Sequence, residues 1–159
     1  MKAIVVYYSM SGNTEYTARK VAEGIGADLL RLEPVRSYPA SGFKKFFWGG
    51  KSAVMAEKPE LQPYRFDPDQ YDTVIFGFPV WAGNITPPLR SFISENNLKA
   101  DRYAAFACQS GSGAGKAFGR LKDCLGHDLV KTLVLIDPKS KPDPAKDLQI
   151  NEFCNTLIG

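Results

Sequence analysis

Residues 3–8 form a nearly unbroken apolar run, Ala-Ile-Val-Val-Tyr-Tyr, that stops at a polar turn containing glycine. A run this short and this apolar reads as a strand covered on both faces, the condition of a central strand in a parallel sheet. After the turn, Ala18, Val21, Ala22 and Ile25 recur at helical spacing, while Glu15, Arg19, Lys20 and Glu23 fall on the other face. Gly26 stops that helix, and residues 28–32 supply a second strand. Strand, turn, helix and strand in this order open a βαβ unit and predict an α/β domain.

The rest of the chain continues the alternation. Residues 73–78 read as a strand ending at Pro79, and the helix that follows is expected to start with Thr86 as N-cap and Pro87 as its first residue, burying Leu89, Phe92 and Ile93. Residues 103–108 are a further strand, 114–125 a helix and 129–136 the last strand. Asp143 and Pro144 are placed to start a closing helix, with Leu148, Phe153, Leu157 and Ile158 roughly on its buried face. The prediction is one domain over residues 1–159, a doubly wound five-stranded parallel sheet with helices on both faces; strand order stays open. One connection, residues 34–71, is too long for a plain link. Within it Phe43, Phe46, Phe47 and Trp48 have helical spacing, Gly49 and Gly50 would end that piece, and 51–57 can form another turn. This insert is either an extra helical layer or a piece that closes over the ligand site.

Composition narrows the function classes. The net charge of +3 is uneven, because residues 36–65 hold six basic residues against Glu57 and Glu60 while the remainder is close to neutral. Such a patch can steer an anionic partner, but no zinc-ligand pattern or aromatic-basic RNA motif accompanies it, so no nucleic-acid role is expected. Cys108, Cys124 and Cys154 are too widely spaced for a disulfide framework or metal site. No leader and no membrane span is read from the sequence, and a reducing cytoplasmic location is expected. His127, the single histidine, precedes the last strand and reads as structural or surface.

Ligands of open parallel sheets bind beyond the carboxyl ends of the strands, and three polar loops can meet there. In the first, the Ser9, Ser11 and Thr14 hydroxyls, the Asn13 amide and the N–H groups opening the next helix can surround a phosphate, with Gly12 allowing close approach. That loop has no lysine or arginine, which suits one phosphate held by neutral donors and departs from both the triphosphate P-loop and the three-glycine dinucleotide pattern. In the second loop, Pro79, Val80, Trp81, Ala82, Gly83 and Asn84, the indole either offers a flat surface to an aromatic ligand or packs into a core-facing turn, and Gly83 and Asn84 can bring donors to a ligand edge. The third, Cys108, Gln109, Ser110 and Gly111, continues to Ser112 and Gly113; its backbone N–H groups can hold a planar heterocycle edge-on, with Cys108 a small buried hydrophobe.

Together these residues resemble the flavodoxin-like family, in which the loops read S-x-S-G-N-T, G-x-P-x-W-x-G and S-G-x-G, matched here by residues 9–14, 77–83 and 110–113. The resemblance implies a flavodoxin-like fold of the short-chain type and FMN as cofactor. It implies that Ser9, Ser11, Gly12, Asn13 and Thr14 cradle the phosphate with Met10 close by, that residues 79–84 lie beside the flavin ring, and that Cys108, Gln109, Ser110 and Gly111 lie at its pyrimidine edge. No side chain is needed as a catalytic base. The implied function is electron transfer with a redox partner protein; the alternative is an FMN-dependent NAD(P)H:quinone oxidoreductase with a small quinone as acceptor. Either a monomer or a homodimer is compatible. The missing acidic surface and the aromatic insert depart from the family pattern.

Overall fold

The computed structural model describes residues 1–38 and 57–159. The insert residues Phe43, Phe46, Phe47, Trp48, Gly49 and Gly50, together with Lys44, Lys45 and Lys51, lie outside the described residues.

Five strands, β1 (Ala3–Tyr7), β2 (Asp28–Arg31), β3 (Thr73–Pro79), β4 (Arg102–Gln109) and β5 (Thr132–Ile136), form one parallel sheet in the order β2-β1-β3-β4-β5. This is the flavodoxin-type order, whose switch point lies between β1 and β3. Register is continuous across the centre, with Val5 beside Ile75 and Phe76 beside Ala105. Among the described residues four α-helices cover the sheet: α1 (Asn13–Ile25), α2 (Pro87–Glu95), α3 (Ala114–Leu125) and α4 (Pro144–Ile158).

The period of two along β1 sorts the core into two layers. Ala3, Val5 and Tyr7 pack with Ala18 and Val21 of α1 and Phe153 and Leu157 of α4. Ile4, Val6 and Tyr8 face the other way, into a layer shared with Leu89 and Phe92 of α2 and Phe118 and Leu121 of α3. Burial on both faces is why β1, β3 and β4 read as continuous apolar runs. The flanks of the long connection are pinned to each other, with the Val35 N–H donating to the Glu60 carbonyl at 2.8 Å and the Gln62 N–H to the Glu33 carbonyl at 2.7 Å.

Three details differ from expectation. β5 begins at Thr132 rather than residue 129, and Val130 ahead of it is 52% exposed while its N–H reaches the Tyr103 carbonyl. On α4 the buried residues are Ile150, Phe153, Cys154 and Leu157; Leu148 and Ile158 face water. Cys154 acts there as a small apolar residue, which rotates the buried stripe away from Leu148. Thr86 does occupy the N-cap of α2 and Pro87 its first position, but the Thr86 hydroxyl makes no capping bond and is buried without a partner among the described residues. Pro88 has no N–H to offer it, and the Leu89 N–H is taken by the Thr86 carbonyl at 3.1 Å.

Candidate functional site

A cleft at the carboxyl edge of the sheet is lined by Ser11 and Asn13 of the first loop, Pro79 and Val80 of the second, Cys108, Gln109 and Ser110 of the third, and Asp137 after β5. It lies over the β1/β3 switch point, where the chain diverges to opposite faces.

In the first loop Gly12 adopts φ +97°, the left-handed region open to glycine, and so turns the chain from β1 into α1. Ser9 is buried and its hydroxyl accepts the Glu15 N–H at 3.1 Å, so it serves the helix start rather than the cleft. Thr14 is also buried. Met10 is half-buried against the core, and Ser11 is exposed with its hydroxyl accepting from the Asn13 amide at 3.4 Å. The Tyr16 N–H bonds to the Gly12 carbonyl at 3.0 Å, leaving the Asn13 and Thr14 N–H groups without an acceptor among the described residues. These are the orphan donors of a helix N-terminus, and with the helix dipole behind them they suit an anion. Arg31 at the end of β2 steadies the loop: it donates to the Ser9 carbonyl at 2.9 Å and pairs with Glu15 at 2.8 Å and with Glu33.

The second loop is a tight turn. The Trp81 and Asn84 backbones exchange both hydrogen bonds, at 3.2 and 3.0 Å, across Ala82 (φ +51°) and Gly83 (φ +68°), the geometry of a type I′ turn. The Trp81 ring is fully buried, edge-on to Tyr8 at 5.8 Å and to Tyr38 at 5.3 Å, the core-facing of the two arrangements open to it. Burial of a large ring among aromatic edges is the favourable outcome for an indole at a strand end. Asn84 is buried too, and its side-chain oxygen accepts from the Ile85 N–H at 2.9 Å and from Arg90 at 2.7 Å instead of facing the cleft.

The third loop meets the second at its glycines. Gly113 has φ +108°, and a Cβ on it would lie 3.0 Å from the Gly83 Cα. The Gln109 side-chain oxygen accepts the Ala114 N–H at 3.1 Å, fixing the start of α3, and Gly111 is exposed. Cys108 is buried with its sulfur 3.7 Å from the Thr17 hydroxyl. Burial pushes its thiol up to about 11, against the opposing hydrogen bonds of Thr17 and Thr14. Burial raises the Cys154 thiol as well. With a disulfide reagent at pH 8 the native protein is therefore expected to react rapidly at no more than one thiol, the half-buried Cys124, and at all three in denaturant. Mass spectrometry of the labelled chain checks this.

A fourth loop, residues 137–141, joins the site and carries no motif that marks it in the sequence. The Asn13 side-chain oxygen accepts the Lys139 N–H at 2.8 Å and the Ser140 N–H at 3.3 Å, while Asp137 accepts from the Ser110 hydroxyl at 2.8 Å. Asp137 holds φ +43°, a strained conformation for a residue with a side chain, and its carboxylate faces Lys141 at 3.7 Å. The available signal was position alone: Asp-Pro-Lys-Ser-Lys directly follows the last strand and must emerge at the same sheet edge.

Among the described residues no group of three or more His, Cys, Asp or Glu side chains is arranged to hold a metal ion, and no helix is long and apolar enough to cross a membrane.

This doubly wound sheet, with a polar cleft over its switch point, defines the class of the protein as flavodoxin-type α/β. The family model described as Flavodoxin matches residues 2–149, and the chain belongs to that family. Among solved structures it is similar to a candidate flavoprotein from Bacteroides uniformis ATCC 8492, at 21% identity over 97% of each chain with a TM-score of 0.81. A candidate flavoprotein from Bacteroides eggerthii DSM 20697 is 23% identical over 99% of this chain and 98% of that one, with a TM-score of 0.77. A flavoprotein from Lactobacillus acidophilus NCFM, solved in complex with FMN, is 22% identical over 87% of this chain and 95% of that one, with a TM-score of 0.69.

Proposed function

We propose that this chain binds FMN in the cleft at the carboxyl edge and works as an electron-transfer protein. The observation that carries the reading is the pair of unpaired Asn13 and Thr14 N–H groups opening α1 beneath Gly12, at the place where the loops after β1, β3 and β4 converge. The FMN complex of the Lactobacillus acidophilus relative supports the choice of ligand.

The donor set fits a flavin phosphate: small side chains, left-handed glycines and backbone N–H groups leave room and dipoles for one anion. Bound FMN supplies one- and two-electron chemistry at its ring. On this reading Ser9 and Gln109 fix the helix starts of α1 and α3, Ser11, Gly12, Asn13 and Thr14 meet the phosphate, and Pro79, Val80, Ala82 and Gly83 border the ring. Cys108, Ser110 and Gly111 take its polar edge, and Trp81, Asn84 and Met10 hold the loops from behind. No side chain has to move a proton. His127 is at the opposite edge, with its ring 5.1 Å from that of Tyr103 near the start of β4.

The alternative, an FMN-dependent NAD(P)H:quinone oxidoreductase, draws on the cations of the rim, where Lys116 packs beside Gly83 and Lys139 beside Gly12. These would favour a phosphate-bearing nicotinamide donor or an acidic redox partner. Fluorescence titration with FMN, followed by anaerobic addition of NADPH or NADH, separates the readings. An electron carrier is expected to bind one FMN per chain and to keep it oxidised until a partner reductase is supplied. Rapid bleaching by the nicotinamide alone would assign the reductase, and no binding of FMN would refute both.

A further inference from the structure

The phosphate cradle read from sequence is neutral, but the folded one is not. Asn13 draws the backbone of residues 139 and 140 onto the first loop, and the Lys139 side chain then runs back over Gly12. The position that a Cβ on Gly12 would occupy is 2.9 Å from the Lys139 Nζ and 3.3 Å from its Cδ. Among the described residues Lys139 makes no ion pair, whereas its neighbour Lys141 faces Asp137. An ammonium held against a loop of unpaired N–H groups, with no carboxylate paired to it among the described residues, is placed to meet the same anion that those groups would bind.

We propose that Lys139 supplies a formal positive charge to the phosphate subsite and makes the cleft selective for the phosphorylated flavin over riboflavin. The inference rests on FMN being the ligand and adds a determinant from the loop after β5. The ammonium and the α1 N–H groups approach the phosphate from two sides, the first as a mobile point charge and the second as fixed dipoles. Asn13 acts as a positioning residue, because its side-chain oxygen holds the loop that carries Lys139 and its own N–H is one of the donors. Part of the FMN affinity is then electrostatic and partly exposed, so it weakens as salt rises; binding of riboflavin, which has no phosphate, does not.

The test is a fluorescence titration of the full chain and its Lys139→Met and Lys139→Arg variants with FMN and with riboflavin, at about 0.01 M and about 0.15 M ionic strength. Methionine keeps an unbranched apolar stem of similar bulk, and the Lys139 backbone N–H that holds Asn13 is unaffected by the exchange. Lys139→Met is expected to weaken FMN about 10- to 100-fold, to leave riboflavin unchanged and to flatten the salt dependence, while arginine retains most of the preference. An unchanged ratio of FMN to riboflavin affinity in Lys139→Met would overturn the role of Lys139 and leave the FMN reading intact. Failure of the unaltered chain to bind FMN would overturn both. Equal weakening of FMN and riboflavin would assign Lys139 to loop structure and reject the charge role.

Discussion

A Gly113→Ala variant is expected to fold, to melt about 5–15 °C lower and to lose roughly 100-fold or more in FMN affinity. Two costs coincide at this position. Its φ of +108° and ψ of −2° are strained for alanine, at about 1–3 kcal/mol. The added Cβ would also lie 3.0 Å from the Gly83 Cα, 3.4 Å from the Gly83 nitrogen and 3.4 Å from the Val80 Cγ1. Neither side can easily yield. Gly83 belongs to the type I′ turn that Arg90 anchors through Asn84, and the Gly113 carbonyl accepts the first helical bond of α3, from Ala117 at 3.0 Å. Relief therefore comes by separating the second and third loops, the two that border the proposed flavin ring. A control lies two residues away: Gly115 is helical and a Cβ there meets nothing within 4 Å, so Gly115→Ala is expected to raise the melting temperature by a few degrees through helix propensity, about 1 kcal/mol at most. Thermal unfolding and fluorescence titration of the pair provide the check, and wild-type FMN affinity in Gly113→Ala would dissociate the glycine contact from the ligand site.

The parts of this fold legible in the sequence are those whose physics is local or periodic. β1, β3 and β4 stand out because burial on both faces removes polar residues from them, and α3 falls on residues 114–125 as expected because its buried Ala117, Phe118 and Leu121 follow the helical period. Family membership was legible through the three loops because their glycines and hydroxyls sit directly after strands. The features the sequence leaves open are non-local. Whether the Trp81 ring faces a ligand or the core depends on Tyr8 and Tyr38, the latter 43 residues away in sequence, and an isolated loop carries no trace of that packing. Lys139 is silent in the sequence because residue 139 reaches Gly12 only once β5 has been laid three strands from β1 and the Asn13 oxygen has captured its backbone. The buried face of α4 turns on Cys154, which packs as a small apolar residue only in the folded layer.

Gly77→Ala is expected to destabilise the protein by about 3 kcal/mol. In β3, Gly77 is the register partner of Tyr7 on one side and Phe106 on the other. The Phe106 ring, fully buried in the layer beneath α1 and α4, lies over the space where a side chain on Gly77 would stand. An added Cβ would fall 2.2 Å from the ring's Cζ and 2.5 Å from its Cε2, inside contact distance for any pair of carbons. Close-packed neighbours give the ring little room to shift, so the methyl group is accommodated by displacing β3 from β4 or by an unfavourable ring rotamer. A double-mutant cycle distinguishes this clash from an intrinsic preference for glycine. Phe106→Leu alone should cost about 1–2 kcal/mol, and in its background Gly77→Ala should cost at least about 1 kcal/mol less than in the native protein. Additive costs within about 0.5 kcal/mol would reject the ring contact as the cause. The consequence reaches the site: the Gly77 carbonyl accepts the Tyr8 N–H at 3.2 Å, where β1 passes into the first loop, and Pro79 borders the cleft two residues on. A β3 strand displaced at Gly77 moves the first and second loops together, so FMN affinity should fall with stability in Gly77→Ala and return with it in the double variant.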